Sequence, residues 1–100
     1  MITTIFVRHR VKDFTIWKKA YDAHLPKRIE AGLTERGLFR VDTDPNEVVI
    51  LFEAKDLVRA KKFAESVELR EVMEKAGVIG KPDILFLNEQ PMAYAKASGF

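Results

Sequence analysis

The 100-residue chain contains no cysteine. Disulfides, thiolate metal sites and a cysteine nucleophile are excluded, and the composition fits a reducing, cytoplasmic setting. Histidine is scarce: His9 and His24 are the only two, and they fall on different predicted elements. Two such residues do not make a metal ligand set, so no metal is expected. The five glycines are scattered and form no phosphate-cradling loop. Ser66 and Ser98 have no neighbouring His or Asp signature of a nucleophile. No cofactor is expected.

Charge of one sign is also missing. Lys and Arg number 17 against 15 Asp and Glu, a net charge of +2. Without a run of like charges, a nucleic-acid or membrane-surface tail is not expected. The longest apolar run is five residues, too short to span a bilayer. Met1-Ile2-Thr3-Thr4 lacks the charged and long apolar regions of a signal peptide.

What is present is a set of strand-like runs that are apolar on both faces. Val48-Val49-Ile50-Leu51-Phe52 and Ile84-Leu85-Phe86-Leu87 have no polar side, and Ile5-Phe6-Val7 and Leu38-Phe39 are shorter versions. Side chains alternate across a strand, so such runs bury both faces of a sheet. Only two helical patterns are available to cover one of them.

Strand one is expected over residues 3–11, with Ile5, Val7, His9 and Val11 on one face. Asp13 caps a helix carrying Phe14, Trp17, Tyr21 and Leu25, which Pro26 breaks or kinks and Gly32 ends. Strand two spans about 33–41, interrupted at Arg36-Gly37. The cluster 42–47 turns the chain into strand three, about 47–53. Asp56 caps a second helix, in which Ser66 restarts the cap and Gly77 stops it. Strand four covers about 83–88. Residues 91–100 read as a C-terminal tail, either frayed or laid as an arm across a partner.

The order is therefore β-α-β-β-α-β over residues 1–90, the ferredoxin-like α+β sandwich. Right-handed crossovers give an antiparallel sheet of order 4-1-3-2. Two helices leave one sheet face bare, and the economical cover is a second copy of the sheet. A homodimer is expected.

Residues 3–89 resemble the dimeric α+β barrel superfamily, including the antibiotic-biosynthesis-monooxygenase-like proteins. The likeness rests on Val7-Arg8-His9-Arg10-Val11-Lys12-Asp13-Phe14 and on Pro45 to Glu53. It also rests on Ala60-x-x-Phe63-Ala64-x-Ser66 entering Leu69-Arg70, and on Gly80-Lys81-Pro82-Asp83. The resemblance implies a sheet-to-sheet dimer closing an α+β barrel. Similar folds serve as cofactor-free oxygenases, lactone isomerases, polyketide cyclases, haem-handling enzymes and proteins of no known activity. Oxygenases of the group often carry a tryptophan after the strand-three glutamate and a histidine in helix two. This chain has Ala54 and Phe63-Ala64 there, which argues against quinone-type oxygenation and haem degradation.

Trp17, Tyr21, His24 and Arg28 are spaced i, i+4, i+7, i+11 and share one flank of a helix. They either edge the core with their tips in water or line a pocket against the sheet. In the second reading Trp17 and Tyr21 hold a planar apolar ligand. His24 or His9 moves a proton, and Arg28 steadies an enolate or carboxylate. By rise per residue His9 falls nearer Trp17 than His24, as a hydrogen-bonded core residue or as a base.

Three functions follow. One is a cofactor-free monooxygenase, isomerase or cyclase acting on a small aromatic or polyketide-like molecule. Another is a non-catalytic binder of such a molecule, and the third is a stress-related dimer. RNA binding by the same topology is set aside, because Glu47 to Glu53 has one aromatic, no glycine and acids at both ends.

Overall fold

Alternation in Thr3–Val11 sends Ile5, Val7, His9 and Val11 to one side, where all four are buried. Thr4, Phe6, Arg8 and Arg10 take the other side. This strand, β1, is central in the computed structural model, which describes residues 3–91. It lies between β3 (Asp44–Ala54) and β4 (Val78–Asn88), and β2 (Leu33–Val41) flanks β3. The order β2-β3-β1-β4, with each neighbouring pair antiparallel, is the order expected from the sequence.

Both predicted helices are broken in two, the first just before Pro26 and the second at Ser66. The Asp13 carboxylate accepts from Ile16 N and starts α1 (Phe14–Ala23). His24 closes α1 and opens α2 (Leu25–Glu30), whose first turn holds Pro26. Asp56 accepts from Val58 and Arg59 N to start α3 (Leu57–Ala64). Ser66 Oγ accepts from Leu69 N to start α4 (Val67–Lys75). Gly77, at φ 89°, takes the left-handed conformation that ends α4.

Two boundaries differ from expectation. β3 begins at Asp44, so only Asp42 and Thr43 turn the hairpin. β4 begins at Val78 rather than near Asp83. Pro82 lacks an N–H and reads as a strand start, but it sits on an edge strand at an irregularity, where no donor is needed. Arg8 pairs with Asp83 and Arg10 with Ile79, so Gly80-Lys81-Pro82 stand opposite His9 alone. Gly80, at φ 71°, makes that bulge possible.

The core lies between the sheet and the helices, built from Ile5, Val7, Val48, Ile50, Phe52, Trp17 and Ala60. The opposite sheet face presents Phe6, Phe39, Val49, Leu51, Leu85 and Leu87. Phe39 and Leu85 are each 53% exposed. Arg8–Glu47 (3.1 Å) and Arg36–Glu53 (2.8 Å) cross that face as ion pairs. The tail over 91–100 lies, from residue 92 on, outside the described residues.

Candidate functional site

Helices α1 and α2 and the pair α3–α4 lie over one sheet face and do not fill it. Among α4 residues none is buried; Leu69, Val72 and Met73 are only half covered. Between them and the sheet is a cavity of about 80 Å³. The structure brings all five sequence-predicted residues to its wall: His9, Trp17, Tyr21, His24 and Arg28.

Aromatic contacts order these side chains. Trp17, 3% exposed, stacks on Tyr21 with centroids 4.8 Å apart. Its indole meets the His9 ring edge-on at 5.3 Å. The Arg28 guanidinium carbon lies over the other ring of the pair, 3.7 Å from the Tyr21 centroid. The break at His24 turns α2 so that Arg28 Nη1 reaches the Tyr21 carbonyl at 2.6 Å. His24 stacks on Phe63 of α3, at 6.0 Å and 21°.

Three polar groups on this apolar wall have needs that no described residue meets. His9 is 5% exposed and its Nδ1 has no hydrogen-bond partner among the described residues. Tyr21 Oη is likewise buried and unpartnered. Arg28 is 7% exposed, yet no carboxylate pairs with it among the described residues. Buried polar groups are nearly always satisfied, and buried cations are usually paired.

Electrostatics set their protonation. Burial lowers the His9 pKa; its own backbone, out of bonding geometry, works weakly against this. His9 is therefore a neutral imidazole near pH 7. Burial raises the Tyr21 pKa well above the ordinary phenol value, Arg28 opposes the rise, and Glu35 adds to it from outside bonding geometry. Tyr21 is thus a committed donor. Burial, then the Arg28 charge, lowers the His24 pKa, with Glu68 opposing.

Several wall residues were not singled out from the sequence as site residues. Phe63, Leu69, Val72 and Met73 complete the cavity from α3 and α4. Leu69, Val72 and Met73 fall at helical spacing, but an apolar stripe over a cavity and one over a packed core look alike in sequence. Glu35 is exposed and lies outside that wall, opposite Phe52 in the pairing of β2 with β3.

No group of His, Cys, Asp or Glu among the described residues could hold a metal ion. No described helix is long and apolar enough to cross a membrane.

No family model and no curated protein matches the sequence. Solved structures do match. SnoaB, a cofactor-independent oxygenase from Streptomyces nogalater, superposes with a TM-score of 0.68 at 10% identity, over 91% of this chain and 95% of that one. The chain has the fold of the antibiotic-biosynthesis-monooxygenase-like proteins. An antibiotic biosynthesis monooxygenase gives a TM-score of 0.65 at 16% identity, over 91% and 100% of the two chains. A NIPSNAP family protein from Agrobacterium tumefaciens gives 0.64 at 11% identity, over 95% and 99%. Fold and chemistry are separable at such identities, so the site has to be argued from its own residues.

Proposed function

We propose that the chain is an enzyme that removes a proton from a small planar carbonyl or phenolic compound, using its own side chains. The observation that carries this reading is the convergence of His9 Nδ1, Tyr21 Oη and Arg28, each without its usual partner among the described residues, on one apolar cavity. Neutral His9 takes the proton from the carbon beside a carbonyl. The electron pair moves onto the carbonyl oxygen. Tyr21 donates to that oxygen and the Arg28 guanidinium stabilises its charge.

The depressed pKa keeps His9 unprotonated and ready, but leaves it a weak base. The substrate must be acidified on binding, which is the part Tyr21 and Arg28 play. The resulting enolate is the shared intermediate of three outcomes. It can be reprotonated elsewhere, attack a second carbonyl in the same molecule, or react with dioxygen. These are an isomerase, a cyclase and a monooxygenase acting on a small aromatic or polyketide-like molecule.

The cavity of about 80 Å³ is smaller than a ligand of this kind needs. Binding therefore requires His24, Phe63 and the α3–α4 layer to move outward. The absence of any buried residue in α4 supports such movement.

We also propose a homodimer formed through the exposed sheet face. Phe6, Leu51 and Leu85 form a continuous apolar row there, in register across β3, β1 and β4. Covering this face would remove on the order of 1,500 Å² from water, enough for a stable dimer.

The test is hydrogen exchange on a probe ketone, 2-tetralone, followed by NMR in D2O. Wild type should accelerate exchange at the carbon beside the carbonyl, and His9→Gln should lose about 10²-fold or more of that rate. Binding of the ketone with no exchange would leave only a ligand-binding protein and end the catalytic reading.

A further inference from the structure

The His24–Phe63 pair is a partition. On its inner side lies the apolar cavity of about 80 Å³. On its outer side, between α2 and the α3–α4 pair, lies a second cleft of about 280 Å³. His24, Phe63 and Leu69 belong to both walls. The two spaces are neighbours across a pair of rings, and together they reach the lower range of small-molecule sites.

Their chemistry differs. The inner wall is apolar apart from the groups described above. The outer cleft is lined by Lys27, Arg59 and Lys62 against Glu30 and Glu68. Lys27 is shared between the two acids, at 3.9 Å from Glu30 and 4.0 Å from Glu68. Arg59 and Lys62 pair with no carboxylate among the described residues. Arg59 is nonetheless held in place, because its Nη2 donates to the Glu30 carbonyl at the end of α2. Arg59, Lys62 and Phe63 are spaced i, i+3, i+4, so one face of α3 sets two cations without a described carboxylate partner beside the partition.

We infer that the ligand of this protein is an anionic amphiphile that spans the partition: a planar apolar ring in the inner cavity and a carboxylate in the outer cleft, on Arg59 and Lys62. The inference rests on the reading of the inner cavity as a ligand site. It also gives that cavity a substrate of adequate size, since the ring alone occupies the inner space and the tail uses the outer one. Opening the His24–Phe63 pair is the step that admits the ring.

Trp17 is the only tryptophan and lies on the inner wall, so its fluorescence reports occupation. The probes are 3-phenylpropionate and its neutral counterpart, 3-phenylpropan-1-ol. At low salt the acid should quench Trp17 with about five- to tenfold higher affinity, a preference that fades as salt is raised. Arg59→Gln/Lys62→Gln should bind both probes equally, with the affinity for the alcohol unchanged. Lys62→Gln alone breaks no bond to α2 and should remove part of the preference, which keeps the test open if the double variant unsettles α3. Equal binding of acid and alcohol by wild type, or an undiminished preference in both variants, overturns the anionic tail and leaves the inner cavity as a ligand site. Quenching by neither probe overturns both readings.

Discussion

Arg28 grips Tyr21 from two directions. Its guanidinium lies 3.7 Å from the ring centroid, and Nη1 donates to the carbonyl of the same residue at 2.6 Å. A buried guanidinium held this way gains one charge-assisted bond and a ring face, but no counter-charge among the described residues. Such an arrangement costs desolvation that a purely structural residue would not need.

Replacing Arg28 by Met is therefore predicted to separate stability from activity. The lost hydrogen bond is offset by relief of the desolvation cost and by comparable apolar volume. Thermal or urea unfolding should shift by no more than about 1–2 kcal/mol in either direction. Proton exchange on the probe ketone should fall about 10²-fold or more, the loss typical of an oxyanion donor. A variant as active as wild type would remove Arg28 from the site.

The His9 pKa predicts how stability depends on pH. Burial lowers it, so the unfolded chain binds this proton more readily than the folded one. Stability is full above the unfolded value near 6.5 and falls as pH drops through it toward the lower folded pKa. His24 is lowered in the same sense and adds to the slope. Between pH 7.5 and 5.5 urea midpoints should decrease. His9→Gln should flatten the decrease more than His24→Gln, because His9 is buried and His24 only half-buried. A rising midpoint would reverse the assignment of both rings as neutral.

Leu51 and Phe52 are neighbours on β3 that face opposite ways. Phe52 is 6% exposed on the helix side, and Leu51 faces the bare side of the sheet. Phe52→Asp buries a charge in the core and should unfold the chain. Leu51→Asp should instead give a folded monomer of 11.5 kDa by light scattering, where wild type should run at twice that mass. A wild type that runs as a monomer at micromolar concentration would remove the dimer.

Phe63 is predicted to guard access to Trp17. Trp17 is 3% exposed, so acrylamide should quench wild-type fluorescence poorly. Phe63→Ala removes one ring of the stacked pair and joins the two clefts. The quenching constant should rise several-fold, at a stability cost of about 1–3 kcal/mol, less than for a fully buried Phe. If quenching does not change, Phe63 does not guard access to the inner cavity.

The central architecture was legible before any coordinates. β1 declares its two faces residue by residue, and the caps Asp13, Asp56 and Ser66 sit where the helices begin. Even the double break in the helices was signalled, at Pro26 and Ser66. The start of β4 was not, because Val78-Ile79-Gly80-Lys81-Pro82 carries a glycine and a proline that read as loop. Only pairing with β1 shows that the edge strand tolerates them as a bulge. The shared flank of Trp17, Tyr21, His24 and Arg28 was visible as spacing, but spacing did not distinguish a pocket wall from a core edge.

The sequence by itself determined the order of elements, the sheet topology and the two apolar faces. Each of these follows from local periodicity, capping and chirality. The tertiary structure alone decided that the helix layer leaves a cavity, and that among the described residues His9 and Tyr21 face it without partners and Arg28 lies there without a carboxylate. Those properties depend on how far apart two layers settle and on which side chains fail to meet. No period along the chain encodes such distances.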